Sequence, residues 1–196
     1  AEPLSCALHA VERAGITFDD TVVVAGCGPI GLGMVAGARA KNPAHVVALD
    51  LAPAKLALAG ECGADVLIDI RDGDAVARVM ELTDGYGCDV YLEGTGHPSA
   101  VIQGLSMLRK LGTFVEYGVF GSDVTVDWSI ISDDKELDVL GAHLGPHCWP
   151  AAIRMIESGS LPMEKICSHQ LPLEQFARGL ELVSSGTESV KVSLIP

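Results

Sequence analysis

The sequence predicts an α/β fold built on a doubly wound, parallel six-stranded sheet with helices on both faces. Short apolar, β-branched runs alternate along the chain with longer stretches of helical periodicity, which is typical of parallel sheets. The turn after the first such run is rich in glycine, and 196 residues with 48% apolar content suffice to bury a substantial core. We therefore expect the strand order 3-2-1-4-5-6, right-handed crossovers, and a ligand cleft at the carboxyl ends of the strands where this order reverses.

The individual elements follow from periodicity and from start and stop signals. A helix over 2–14 has one apolar stripe, and Gly15 is placed to end it. Gly33 and Gly37 are expected to let the helix over 30–41 pack closely on the sheet. Strands are predicted at 22–24, 45–50, 65–69, 88–93, 113–117 and 137–142, and further helices at 53–62, 72–83 and 99–108.

The glycine-rich turn, Gly26-Cys27-Gly28-Pro29-Ile30-Gly31, has the spacing of a Rossmann dinucleotide-binding fingerprint. Gly26 permits the tight turn, Gly28 lets the backbone approach a pyrophosphate, and Gly31 lets the next helix pack against the sheet. The free N–H groups of the helix start then face the phosphates. Asp50 ends a second apolar run, where a carboxylate accepts hydrogen bonds from the adenosine ribose and repels a 2′-phosphate. The pattern predicts NAD rather than NADP, with a glycine-rich turn of another α/β domain as the alternative.

The remainder of the chain has a different pattern. Helices are predicted at 149–158 and 173–184, and strands at 166–171 and 190–195. These two strands have no obvious partners in the six-stranded sheet. Because unpaired strand edges need cover, we expect a missing piece or a second chain beside them.

Composition excludes several classes of partner. A formal net charge of −13 without a basic cluster argues against binding to nucleic acid or to anionic membranes. The six cysteines are scattered without zinc-finger spacing, so we expect free thiols in a cytoplasmic protein and no metal cluster built from this chain alone. The apolar stretch over 22–38 is punctuated by glycine and proline, which argues against a membrane span, and no secretory signal is recognisable at the N-terminus.

Five segments together resemble one enzyme family. They are Glu2-Pro3-Leu4, the glycine turn, Asp50 with Lys55, Glu93-Gly94-Thr95-Gly96, and Ser168-His169-Gln170-Leu171-Pro172-Leu173-Glu174. From end to end, the chain resembles the C-terminal part of the zinc-type medium-chain dehydrogenases, most closely the polyol branch that includes sorbitol dehydrogenase.

The resemblance implies that Ile30 contacts the cofactor and that Asp50 and Lys55 flank the adenosine ribose. It also implies that two further segments, Tyr117-Gly118-Val119 and Ala142-His143-Leu144, lie beside the nicotinamide. An ammonium group five residues past the acid can reach ribose oxygens, although Lys55 also suits an ordinary solvated helix position. The sorbitol enzymes carry arginine where this chain has Leu144, so nicotinamide contacts and substrate choice are expected to differ here. With the fingerprint, the expected cofactor contacts are Gly26, Gly28, Pro29, Ile30, Gly31, Asp50, Lys55, Thr95, Tyr117, Gly118, Val119, Ala142, His143 and Leu144.

The resemblance also implies a zinc ion in the intact enzyme. Glu2 matches a glutamate that faces this zinc, and a carboxylate can ligate zinc directly or through water. The alternative is that Glu2 only favours the start of a helix. The family's main zinc ligands belong to an N-terminal catalytic domain that this sequence does not contain. We expect residues 1–145 to form the NAD-binding domain and residues 146–196 to complete the missing catalytic domain.

The function implied is oxidation of a secondary alcohol or polyol by hydride transfer to NAD, in a homo-oligomeric enzyme (dimer or tetramer) that pairs through the sixth strand. This chain alone is expected to bind NAD but not to turn over substrate. A short-chain dehydrogenase is disfavoured, since none of the three tyrosines is followed four residues later by lysine. A zinc-free medium-chain reductase and a non-catalytic NAD-binding module, acting as a redox sensor or oligomerisation unit, remain as alternatives.

Overall fold

The computed structural model describes residues 1–186 and 189–196. The strands are β1 (Thr21–Ala25), β2 (His45–Asp50), β3 (Val66–Asp69), β4 (Cys88–Glu93), β5 (Leu108–Glu116), β6 (Asp138–Gly141), β7 (His169–Pro172) and β8 (Val192–Ile195). The helices are α1 (Glu2–Ala14), α2 (Pro29–Ala40), α3 (Pro53–Glu61), α4 (Ala75–Leu82), α5 (Pro98–Met107), α6 (Trp149–Glu157), α7 (Met163–Ile166) and α8 (Phe176–Ser185). No helix among the described residues is long and apolar enough to cross a membrane.

The first six strands form one parallel sheet in the order β3-β2-β1-β4-β5-β6, which confirms the expected topology. Their side chains alternate between two buried clusters. Val22, Val24 and Leu92 pack with α1 and α2 on one face, whereas Val23 and Tyr91 pack with α4 and α5 on the other. Burial on both faces explains why these strands read as nearly continuous apolar runs.

Gly33 and Gly37 do not serve the contact that the sequence predicted for them. A Cβ on Gly33 would press against Ala7, and a Cβ on Gly37 would press against Leu8 and Val11. The small residues therefore allow a close crossing of α2 with α1 rather than of α2 with the sheet. The expectation was wrong because it took the sheet as the only neighbour of α2 and left α1 without a place in the packing.

Element boundaries differ from expectation where a side chain caps or a strand continues. Asp74 caps α4, because its carboxylate accepts hydrogen bonds from the N–H groups of Val76 and Ala77, and the helix starts at Ala75 rather than at residue 72. Strand β5 begins earlier than the predicted 113–117, because Leu108 already pairs with Cys88 of β4. An irregularity follows, and regular pairing resumes at Thr113.

The C-terminal residues form a second, smaller sheet. β7 pairs with β8 in parallel, from His169 opposite Val192 to Pro172 opposite Ile195. Each strand therefore has the other as its partner, and neither joins the six-stranded sheet, as the sequence predicted. Preceding this sheet, α6 packs on α1, with Ala152 and Cys148 buried in the main core.

Candidate functional site

A cavity of about 450 Å3 opens at the carboxyl edge of the sheet, where the chain leaves β1, β2 and β4. This is the position at which the strand order reverses, between β1 and β4, and where doubly wound sheets bind ligands. Five of the residues predicted from sequence line the cavity: Gly26, Gly28, Asp50, Lys55 and Thr95.

The glycine turn has the geometry that its spacing predicted. Gly26 has a φ of 89°, which only glycine adopts without strain. A Cβ on Gly31 would overlap the carbonyl oxygen of Gly26, so the helix start lies directly against the turn. Gly28 caps α2, and a Cβ placed on it would meet nothing within 4 Å. The backbone of Gly28 is therefore open to a ligand, and the N–H groups of a 12-residue helix begin beside it.

Asp50 is held in place by the turn that it faces. Its Oδ2 accepts a hydrogen bond from the Cys27 N–H at 2.7 Å, and its Oδ1 accepts one from the Ala52 N–H at 2.9 Å. Each oxygen has capacity for another donor, because a carboxylate offers about four lone-pair sites. Lys55, in the first turn of α3, lines the same cavity. Burial raises the pKa of the neighbouring Cys27 thiol to about 12, with the charge of Asp50 adding to the shift. This thiol therefore stays protonated near neutral pH, and its side chain packs in the core.

The opposite wall contains polar residues that the sequence reasoning missed. His97 and Ser99 line the cavity from the start of α5, and Gln103 lines it from the middle of this helix. His97 caps this helix by accepting a hydrogen bond from the Ser99 N–H through Nδ1 at 3.3 Å. The sequence contains a signal that predicts this wall. Pro98 marks the start of a helix shortly after a strand of the sheet, and such helix starts face the ligand cleft.

A second cavity of about 160 Å3 brings Lys191 together with Pro29, the first residue of α2. Lys191 precedes β8, near the end of the chain, and sequence reasoning did not find it. No local pattern links the two segments, because only the packing of β7 and β8 beside α1 and α2 brings them together.

The segments expected beside the nicotinamide lie at the same edge of the sheet but do not line the large cavity. Gly118 packs against the Glu93 carboxylate, Val119 is 92% exposed, and the Ala142 N–H donates to the Glu116 carbonyl at 2.9 Å. His143 and Leu144 line a separate open cavity of about 370 Å3. The other expected contacts, Ile30 and Gly31, lie in the first turn of α2.

Glu2 lies at the start of α1, close to Tyr117. It accepts a hydrogen bond from the Cys6 thiol at 3.1 Å, and the Tyr117 hydroxyl contacts Cys6 in turn. Burial raises the pKa of Cys6, and burial together with the bond to Cys6 raises that of Tyr117. Within the described residues, no three histidine, cysteine or acidic side chains are arranged to hold a metal ion. Glu2 Oε1 accepts from Cys6, and its role as a zinc ligand stays a prediction.

The doubly wound sheet, the glycine turn and the oriented acid at the end of β2 define a Rossmann domain of the dinucleotide-binding class. Residues 29–158 match the family of zinc-binding dehydrogenases. The chain belongs to this family.

Individual relatives agree with this assignment. The chain is 75% identical over 196 residues to erythritol/L-threitol dehydrogenase of Mycolicibacterium smegmatis, covering 100% of this chain and 54% of that protein. It is 34% identical over 187 residues to sorbitol dehydrogenase of Ovis aries, covering 94% of this chain and 52% of the relative. A zinc-binding dehydrogenase from Sinorhizobium meliloti 1021 bound to NADP superposes with a TM-score of 0.89 at 30% identity, over 100% of this chain and 58% of that one. The chain spans about half the length of the relatives it matches.

Proposed function

We propose that this chain is the NAD-binding portion of a zinc-dependent dehydrogenase that oxidises a secondary alcohol or polyol by hydride transfer to NAD. One observation carries the proposal: a single cavity joins the open backbone of Gly28 to the carboxylate of Asp50. The first suits a pyrophosphate and the second suits an adenosine ribose, and the turn between them fixes their separation.

NAD is favoured over NADP by the position of Asp50. Two backbone N–H groups hold its carboxylate at the cavity wall, so it cannot swing away from a 2′-phosphate without losing both bonds. A relative from Sinorhizobium meliloti is bound to NADP. Membership of the family therefore leaves the choice of cofactor to the residues of this cleft.

The phosphate end has two favourable features. The N-terminus of α2 offers free N–H groups and the positive end of the helix dipole. Lys191 adds a cation in the cavity that Pro29 lines. Both features suit a pyrophosphate, which carries two negative charges.

We place the nicotinamide beside Tyr117, Gly118, Val119, Ala142, His143 and Leu144. Glu2 and Tyr117 share the contact with Cys6 on this side of the sheet, so a metal ligated by Glu2 would lie near the reacting ring. A zinc ion bound there would act as a Lewis acid on the alcohol oxygen. The task of this chain is to bind and orient the cofactor for that reaction.

The substrate class follows from the relatives, which include an erythritol/L-threitol dehydrogenase and a sorbitol dehydrogenase. We propose a polyol, and we propose that residues 146–196 complete a catalytic domain contributed by the other half of the protein. Exposed apolar side chains on and beside α8 support this division: Leu173, Phe176, Leu180 and Val183. This chain alone is expected to show no dehydrogenase activity with erythritol and zinc, whereas a longer chain containing the other half is expected to be active.

We further propose a cytoplasmic, homo-oligomeric enzyme. All six cysteines are free thiols, which suits a reducing compartment. Strand β6 lies at the edge of the sheet with Val139 exposed, so pairing of two β6 edges would give a dimer. Light scattering of the protein and of a Val139→Lys variant tests this, and an unchanged mass in the variant counts against it.

Titration calorimetry with NAD and NADP tests the cofactor assignment. We expect NAD to bind at least tenfold more tightly than NADP, because a 2′-phosphate beside Asp50 faces like charge. Asp50→Asn is expected to weaken NAD about tenfold and to narrow the difference between the two cofactors.

Asp69→Asn is the matched control for this experiment. Asp69 ends β3 directly opposite Asp50, but it pairs with Arg71 and does not line the large cavity. Hydrogen bonds from Arg71 lower the pKa of Asp69 to about 2. We expect NAD affinity within about twofold of the parent protein. Absence of NAD binding, or tighter binding of NADP, would refute the proposed function.

A further inference from the structure

Glu93, the last residue of β4, is a buried carboxylate whose role the family motif does not explain. Its side chain is 0% exposed. Oε1 accepts hydrogen bonds from the Thr95 N–H at 2.7 Å, from the Gly96 N–H at 3.1 Å and from the Thr95 hydroxyl, and Oε2 approaches the same Gly96 N–H at 3.2 Å. A carboxylate that satisfies three donors of one turn fixes the backbone of that turn.

The network continues from this turn to the wall of the large cavity. Thr95 Oγ1 accepts a hydrogen bond from the His97 N–H at 2.9 Å, and His97 in turn caps α5. Both Thr95 and His97 line the cavity. Glu93 therefore orders, through two successive hydrogen bonds, residues in a wall of the cavity in which Asp50 is proposed to bind the adenosine ribose.

On its other side, Glu93 touches the turn that follows β5. A Cβ on Gly118 would overlap Glu93 Oε2 and would come within 2.5 Å of the Gly96 nitrogen. A Cβ on Gly96 would come within 2.5 Å of the Val119 carbonyl oxygen. The turns 94–97 and 117–119 are thus in backbone contact with each other, and the same carboxylate lies against both.

We propose that Glu93 is a positioning residue that fastens these two turns into one unit. The turn 94–97 lies at the adenosine end of the cleft, and the turn 117–119 is the segment that we place beside the nicotinamide. Fastening them holds the segment proposed to lie beside the nicotinamide in a fixed position relative to the cavity proposed for the adenosine, so that a bound cofactor presents its ring in one position. The consequence for the cofactor rests on the proposed function, whereas the fastening itself is a property of the protein without ligand.

Glu116 provides a matched control. It is the cross-strand partner of Glu93, at the end of β5 and on the same face of the sheet. Its Oε1 is buried and has no hydrogen-bond partner in the part of the chain that the structure describes. Burial, and to a lesser extent the charge of Glu93, raises the pKa of Glu116. The same substitution at the two positions therefore separates the bonds to the turns from the general effect of removing a carboxylate there.

The first test is amide hydrogen exchange of the chain without ligand. In Glu93→Gln, we expect exchange to become about tenfold faster in both 94–97 and 117–119. The NH2 group that replaces one carboxylate oxygen is a donor facing the donors of the turn, and the oxygen that is left accepts its bonds without the negative charge that strengthens them. Exchange within β1 is expected to stay unchanged, as is exchange of both turns in Glu116→Gln. Faster exchange confined to 94–97, no change in either turn, or an equal rise throughout the sheet would overturn the proposal.

The second test compares NAD with ADP, which lacks the nicotinamide and reaches only one of the two turns. In Glu93→Gln, we expect NAD affinity to fall about tenfold and ADP affinity about threefold or less. An equal loss for both ligands would mean that Glu93 supports the adenosine end alone, and would overturn the coupling. If the parent protein fails to bind NAD, the proposed function fails, while hydrogen exchange still decides whether the turns are fastened.

Discussion

The six-stranded sheet and the C-terminal pair of strands are both parallel but differ in burial. All five residues of β1 are buried, and β4 is buried along most of its length. In β7 and β8, every residue is partly or fully exposed to solvent, and the adjacent helix α8 has an exposed apolar stripe. The first region covers both faces of its sheet with helices from this chain, whereas the second leaves apolar surface open.

This difference shows which of the two sheets is covered by elements of this chain. A buried parallel sheet needs cover on both faces, and α1, α2, α4 and α5 supply it within one chain. A two-stranded sheet is marginal in water unless other elements pack on it. Since the relatives are about twice as long as the chain, the open surface around α8 is where we expect the rest of the protein to pack.

The largest expected contrast is between one glycine of each region. Gly31→Ala places a Cβ on the carbonyl oxygen of Gly26, and the backbone of the turn has to move. We expect a loss of about 3 kcal/mol in the free energy of unfolding, measured with urea, and no measurable NAD binding. Gly179→Ala, in α8, places a Cβ 3.4 Å from Leu194, which is ordinary contact. It should leave NAD binding intact and gain up to about 1 kcal/mol from helix propensity. Comparable losses in both variants would contradict the comparison.

A second contrast lies within α8. Leu182 is 4% exposed and Leu180 is 52% exposed. We expect Leu182→Ala to cost about 2–3 kcal/mol in unfolding free energy, and Leu180→Ala less than about 0.5 kcal/mol.

The same pair of variants in a longer chain sharpens this prediction. If the other half of the protein packs on the stripe of Leu173, Phe176, Leu180 and Val183, the Leu180→Ala variant becomes costly there. Should Leu180→Ala stay neutral in an active, longer protein, this stripe is not the packing surface.

Lys191, from the C-terminal region, lines a cavity together with Pro29 at the start of α2. Lys191→Ala is expected to weaken NAD binding by about three- to tenfold at low salt, and less at high salt because screening reduces the charge interaction with the pyrophosphate. Lys165→Ala is the control, since Lys165 lies in the same region but pairs with Glu61 at 2.7 Å. Calorimetry at two salt concentrations checks both variants, and an equal loss in the control would assign the effect to net charge.

The contrast between the regions also explains what the sequence could predict. The strand order and the turn from Gly26 to Gly31 follow local rules, in which apolar runs and glycine spacing suffice. The pairing of β7 with β8 depends on a contact between segments that are distant in the sequence, and neither strand has a local pattern that identifies its partner. Lys191 was missed for the same reason, because only the tertiary packing brings it to the start of α2.

Errors within the first region have a similar origin. Gly33 and Gly37 were recognised as packing positions, but their spacing did not tell a helix neighbour from a sheet neighbour. The polar wall of His97, Ser99 and Gln103 depends on α5 starting at the cleft. The topology predicts that position, so these residues could have been predicted from the sequence.

The smallest expected effect concerns the pH dependence of stability. The pKa of Glu116 is raised in the folded protein by burial and by Glu93. Protonation of Glu116 therefore favours folding: this contribution is fully present below the carboxyl pKa of the unfolded chain, about 4.3, and is lost as the pH rises through the folded value. Glu116→Gln removes the dependence, so its melting temperature relative to the parent should increase between pH 4 and pH 7, on the order of 2 °C.

Glu164→Gln, at an exposed position of α7, controls for the removal of one charge from a protein of net charge −13. Scanning calorimetry at several pH values separates the two variants, because burial raises the pKa of Glu116, so that its protonation changes on unfolding in this range. A constant difference between Glu116→Gln and the parent across these pH values would show that Glu116 is solvated. The end of β5 would then resemble the open C-terminal region rather than the buried sheet.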